Sequence, residues 1–133
     1  LQRFAAHLGL PLNPQPAFFP VSGDAASTLI IAVDRTLGAP AALHLAGRIG
    51  RAIWGEQRNA ADETTLRSML AEAGLPADLW ERSLAPEMAA GYAARTQQAI
   101  AAGIFGAPSY VVDGEIFCGQ DRLDFLERRL RRG

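Results

Sequence analysis

Lysine is absent from the 133 residues, and all thirteen basic side chains are arginine. Set against fourteen Asp and Glu, they leave a formal net charge of −1, so no net positive field exists to draw in nucleic acid or an anionic membrane. Arginine without lysine, together with abundant alanine, reads as a GC-rich coding bias and carries no functional weight of its own. Cysteine occurs once, as Cys118. A single thiol makes no internal disulfide, no Cys-x-x-Cys redox pair and no zinc site built from several thiolates, and it fits a reducing cytoplasm. The only histidines, His7 and His44, are far apart and have no cysteine nearby to complete a zinc set. Long apolar runs are missing too. Leu29 to Val33, the longest, falls far short of the roughly 18 residues of a spanning helix, and no basic stretch followed by an apolar one opens the chain. What is present, 49% hydrophobic and 20% charged residues, describes a globular domain of ordinary size.

Leu1, Phe4 and Leu8 share one helical face, and Gly9 follows as a C-terminal cap. No capping residue stands ahead of that face, so it is expected to be the end of a helix that began earlier. Pro11, Pro14, Pro16 and Pro20 make residues 10–23 irregular. Phe18 and Phe19 within that segment call for burial or a place in a pocket wall. Ser22 or Asp24 can cap a helix running to Leu37 and closed by Gly38. Pro40 suits the first turn of the next, which should carry Leu43, Ala46, Ile49 and Trp54 toward a core. So short a link predicts antiparallel packing of the two. Asp62 and Thr64 open a third helix with Leu66, Met69 and Leu70 apolar, and Gly74 stops it. Pro76 starts a short fourth with Leu79 and Trp80, and Pro86 starts a fifth that runs through Met88, Tyr92 and Ile100 to Gly103.

The period changes after Gly106. Ser109 to Val112 is β-branched and aromatic, Asp113-Gly114 is a hairpin turn, and Glu115 to Cys118 returns as a second strand. Gln120 or Asp121 then opens a last helix with Leu123, Phe125, Leu126 and Leu130 apolar and arginines in its final turn, where they complement the helix dipole. Tyr110, Val111 and Val112 are apolar on both alternating faces, as in a strand covered on both sides. Two strands alone rarely make a stable sheet. At least one further strand is therefore expected beside Ser109 to Val112, from a region preceding Leu1 or from a partner chain.

The run Gly103-Ile104-Phe105-Gly106-Ala107-Pro108-Ser109-Tyr110-Val111-Val112-Asp113-Gly114-Glu115-Ile116-Phe117, followed by Gly119-Gln120-Asp121-Arg122-Leu123-Asp124-Phe125, resembles the C-terminal part of the 2-hydroxychromene-2-carboxylate isomerases. These are relatives of the kappa-class glutathione transferases within the DsbA-like thioredoxin families. The resemblance extends through Arg51-Ala52-Ile53-Trp54 to Leu75 and back to Phe18-Phe19-Pro20. It implies an α/β fold, mostly α in this chain. Residues 1–23 would be the end of a helix and a Pro-rich segment of a thioredoxin-like domain, 24–102 an all-helical insertion, and 103–133 the C-terminal thioredoxin-like ββα segment. It also implies further strands ahead of Leu1, with the glutathione-activating serine just after the first. This sequence has no counterpart to that stretch, so no residue here is assigned as catalytic. The chain is expected to be part of a longer protein and inactive by itself.

The cosubstrate implied by the resemblance is glutathione, the substrate a small aromatic-derived acid, and the assembly a homodimer. At Ala107-Pro108 the thioredoxin resemblance implies a cis bond that turns the Ala107 N–H and C=O outward, to pair with the cysteinyl backbone of glutathione as an added strand; an ordinary trans proline at a strand start is the alternative. Gly119, Gln120 and Asp121 form the turn into the last helix. Amides there suit the γ-glutamyl carboxylate and Asp121 its ammonium, although Asp121 also fits as a plain helix cap. Cys118 lies close to a helix N-terminus, yet it is read as a small apolar strand residue whose backbone lines the glutathione site. Phe18, Phe19 and Trp54 are the candidate wall of the substrate pocket, and Trp54 fits equally as core. Two rival functions stand beside the isomerase. One is a kappa-type transferase or DsbA-like oxidoreductase, the latter needing a Cys pair upstream; the other is a non-catalytic glutathione- or protein-binding module.

Overall fold

In the computed structural model, which describes residues 1–132, five helices and part of a sixth form a first unit, Leu1–Tyr92; the rest of the chain forms a second. Helix α1 (Gln2–Leu8) ends at Gly9, whose φ of 64° is the left-handed conformation that glycine adopts without steric cost. Residues 9–23 contain no helix or strand. Helix α2 (Asp24–Leu37) has Gly23 at its N-cap position and no side-chain capping bond, so neither expected cap holds it; Ser22 makes only a local turn, its Oγ accepting from the Asp24 amide at 3.3 Å. Gly38 alone links α2 to α3 (Ala39–Trp54), and Pro40 lies in the first turn of α3.

The apolar stripe of α3 is displaced from the expected one. Ala42, Leu45, Ile49 and Ala52 are buried, whereas Leu43 is 72% exposed and Ala46 and Trp54 are half-buried. Two leucines separated by one residue lie on different sides of a helix, so only one can face the core, and here alanines at 42 and 52 complete the stripe of Leu45. Asp62 caps α4 (Glu63–Glu72) by accepting from the Thr65 amide at 2.8 Å, and Leu66, Met69 and Leu70 are buried on its inner face. Helix α5 (Leu79–Ser83) adds Leu79 and Trp80. Leu29, Val33, Leu45, Leu66, Met69, Leu70 and Leu79 are almost wholly buried in one cluster. At about 1.5–3 kcal/mol each, such side chains are the main source of this unit's stability.

Helix α6 (Pro86–Ala101) carries the chain into the second unit. There β1 (Ser109–Val112) pairs antiparallel with β2 (Glu115–Cys118), in a register that sets Ser109 opposite Cys118 and Val112 opposite Glu115. Asp113 and Gly114, with φ of 49° and 83°, make the turn between them, the paired positive φ of the tightest hairpins. A 3₁₀ turn (Gln120–Arg122) leads into α7 (Leu123–Arg131). Arg129 ties α7 to the hairpin, donating to Asp113 at 2.6 Å and lying 3.6 Å from Glu115. In this unit only Phe117 and Leu126 are buried among the described residues. The other edge of β1 has no strand beside it among them, and Tyr110 and Val111 are exposed.

Candidate functional site

The six residues expected to hold glutathione all fall in the second unit and converge on one backbone link. The Gly119 amide donates to the Pro108 carbonyl at 2.8 Å, extending the β1–β2 ladder one step beyond Ser109 and Cys118. Ser109 braces the approach from the other side, its hydroxyl donating to the Gly106 carbonyl at 2.6 Å. The Ala107–Pro108 bond is cis. Ala107 is exposed, and its own N–H and C=O have no hydrogen-bond partner among the described residues.

Gly119 has φ of 102°, and a Cβ placed on it would stand 2.5 Å from Oδ1 of Asp121. The carboxylate thus occupies the space that a side chain at 119 would fill. Among the described residues its one ionic neighbour is Arg122, with 3.7 Å between Nη1 and Oδ2. No side-chain capping bond forms at the 3₁₀ turn or at α7, so Asp121 is not the helix cap that one reading of the sequence allowed. The Gln120 and Asp121 amides open that turn with no acceptor among the described residues. One short arc therefore presents a carboxylate, two free amides and the unpaired backbone of Ala107.

Cys118 is a free, half-buried thiol beside Gly106. With Phe105, Ile116, Phe117, Arg122 and Phe125 it lines an open cleft of about 660 Å³. Phe105, 89% exposed, and Arg122 were not singled out from the sequence as site residues. Both lie inside the two recognised stretches, so a polar or aromatic residue adjoining each motif was the available signal.

Of the three aromatic residues expected to wall a substrate pocket, two meet. The Phe19 and Trp54 rings are 4.7 Å apart at their centroids and tilted by 47°, within the range in which aromatic pairs attract. Phe18 and Phe19 remain exposed, at 43% and 54%, and Phe18 has no ring partner among the described residues. Burial of these two is not found here. Among the described residues no three His, Cys, Asp or Glu side chains gather as a metal would need, and no helix is long and apolar enough to cross a membrane.

A DSBA-like thioredoxin domain matches residues 1–131. The chain belongs to that family. It is 43% identical over 79 residues to a 2-hydroxychromene-2-carboxylate isomerase from Sphingobium xenophagum, across 59% of this chain and 40% of that protein. A solved 2-hydroxychromene-2-carboxylate isomerase superposes on 98% of the chain with a TM-score of 0.78 at 27% identity, and 62% of its own length is matched. The cytosolic disulfide reductase DsbM from Pseudomonas aeruginosa, solved with GSH, shares the fold with a TM-score of 0.71 at 22% identity, over 98% of this chain and 73% of that one. The chain thus spans less than two thirds of either isomerase. The expected fold class holds: a mostly helical chain with a small sheet, in the DsbA-like thioredoxin fold.

Proposed function

We propose that this chain is part of a cytoplasmic, homodimeric, glutathione-dependent isomerase of the 2-hydroxychromene-2-carboxylate type. The observation that carries the reading is the arc of Ala107, Gln120 and Asp121, whose free groups match glutathione in number, charge and kind. The Ala107 N–H and C=O suit the two backbone groups of an extended cysteinyl residue, paired as an added strand. The Gln120 and Asp121 amides suit the γ-glutamyl carboxylate and the Asp121 carboxylate its ammonium. Identity to a curated isomerase supports the choice of reaction.

In that reaction the glutathione thiolate adds to the conjugated double bond of the aromatic-derived acid, forming a C–S bond and turning the double bond into a single one. Rotation or ring opening follows in the adduct. Expulsion of the thiolate breaks the C–S bond, restores the double bond and regenerates glutathione, so no oxidant or reductant is consumed. Such chemistry needs a stabilised thiolate held next to an apolar slot. Within the second unit the arc of Ala107, Gln120 and Asp121 is the candidate glutathione cradle; within the first, Phe18, Phe19 and Trp54 are the candidate aromatic wall. None of these 133 residues is assigned as the thiolate-stabilising group. The test is isomerisation of 2-hydroxychromene-2-carboxylate by the protein extended upstream of Leu1, with and without glutathione. Turnover that requires glutathione supports the assignment. Turnover indifferent to glutathione, or reduction of protein disulfides with no isomerisation, overturns it.

A further inference from the structure

In the first unit four charged side chains alternate in a ring. Arg48 on α3 grips Glu56 through both guanidinium arms, at 3.0 and 2.8 Å, and donates from Nε to Glu72 of α4 at 2.8 Å. Arg58 donates to the other oxygen of Glu72 at 2.9 Å, lies 3.6 Å from Glu56 and also reaches the Ser68 hydroxyl. Arg48 is largely covered, its side chain 17% exposed.

Helices α3 and α4 do not depend on this ring, because Leu45, Ile49, Leu66 and Leu70 already join them in the core and ion pairs near a surface add little to stability. What the ring restrains is the loop after Trp54. Glu56 and Arg58 flank Gln57, a non-glycine residue at φ 55°, and the Gly55, Glu56 and Arg58 amides fold back onto the carbonyls of Arg51 and Ala52 at 2.8–3.1 Å. The Pro-rich segment hooks onto the same end of α3. The Asn13 amide donates to the Trp54 carbonyl at 2.7 Å, and the Pro11 carbonyl lies 3.3 Å from where a Cβ on Gly55 would stand.

We propose that Arg48, Glu56, Arg58 and Glu72 are positioning residues for the aromatic wall: they lock the loop at the end of α3 and thereby set Trp54 against Phe19. The functional meaning rests on reading that pair as the wall of the substrate slot. The route by which the ring acts is the α3 terminus that both segments share. Both carboxylates are held ionised: Arg48 first among its contacts keeps Glu56 below the ordinary carboxylate range, and Arg58, then Arg48, does the same for Glu72.

The experiment labels this chain with 5-fluorotryptophan, which gives two ¹⁹F resonances, and assigns Trp54 with Trp54→Phe. In Glu72→Gln the Trp54 resonance should move most of the way to its position in Phe19→Ala, while the Trp80 resonance and the melting midpoint stay near the parent values. Phe19→Ala added to Glu72→Gln should then displace Trp54 by much less than it does alone. A purely structural ring would lower the midpoint and leave the Trp54 resonance in place, and that result overturns the proposal. Salicylate, as a small aromatic carboxylate, separates the two layers. If Glu72→Gln moves Trp54 but salicylate shifts it in neither protein, the positioning role stands and the slot reading fails.

Discussion

Replacing Asp121 by Asn removes a charge while keeping shape and hydrogen-bonding oxygen, so it isolates what the carboxylate does. A hydrogen bond to a charged group contributes about 1.5–3 kcal/mol. The Asp121 side chain is half exposed, at 50%, and water screens it, so the lower figure applies: about 1.5 kcal/mol, or about tenfold in Kd. Stability should change by less than about 0.5 kcal/mol, as for surface substitutions that touch no special feature, because no cap is lost. The assay is calorimetric titration of glutathione into both forms of the protein extended upstream of Leu1, beside their melting curves. A deaminated glutathione, lacking only the ammonium, closes the cycle. It should bind the parent about tenfold more weakly and the Asn variant no more weakly than glutathione itself, since the pair cannot be lost twice. Equal glutathione affinity in parent and variant would refute the ammonium contact, and an affinity loss that persists with the deaminated ligand would refute the pairing on which the magnitude rests.

Gly119→Ala should cost at least about 1–2 kcal/mol, since it puts a Cβ on a left-handed residue and into Oδ1 of Asp121; a denaturant midpoint equal to the parent's would contradict this. Glu56 and Glu72 have folded-state pKa values below the ordinary 4.5. Their contribution is therefore complete above about pH 4.5 and fades as pH falls through the lowered values. Because ion pairs near a surface add little, the melting temperatures of the parent and of Glu56→Gln/Glu72→Gln should differ only slightly at neutral pH, and that small gap should close in acid; a gap that widens in acid would reverse the sign of the argument. Amide exchange at Tyr110 to Val112 should be fast on the unpaired side of β1 in this chain and protected in the protein extended upstream of Leu1; equal exchange in both would deny β1 a further neighbour.

The elements legible in the sequence are those whose signal is local. Asp113-Gly114 has no other good use than a tight turn between alternating residues, and the hairpin forms where expected, with the register such a turn dictates. Gly9, Gly74 and Gly103 all adopt positive φ at the ends of their helices, and Asp62 caps α4 through a bond spanning three residues. Signals that depend on distant partners were less legible. Leu43 and Leu45 are chemically identical, and only the position of α2 and α4 decides which one is buried. Ser22 and Asp24 both fit the cap of α2 by residue type, yet the backbone puts Gly23 between them at that position. The ring of Arg48, Glu56, Arg58 and Glu72 joins residues up to a helix and a loop apart, and no spacing rule marks it among thirteen arginines and fourteen acids.

The second unit shows the limit of hydrophobic pattern as a guide. Tyr110, Val111 and Val112 report a demand for cover on both faces, and the same demand is written in Phe105, Phe125 and Leu130, which remain 89%, 54% and 61% exposed. In the first unit an equal demand is met from within, by Leu29, Leu45, Leu66 and Leu79 in one cluster. Periodicity states that a face needs a neighbour and is silent on which segment provides it. The candidate glutathione arc escapes that ambiguity, since the Pro108–Gly119 link and the clearance between Gly119 and Asp121 lie wholly within one short stretch. The arc is therefore set by residues 106–121 themselves, and the apolar cover around it is left to whatever packs against β1.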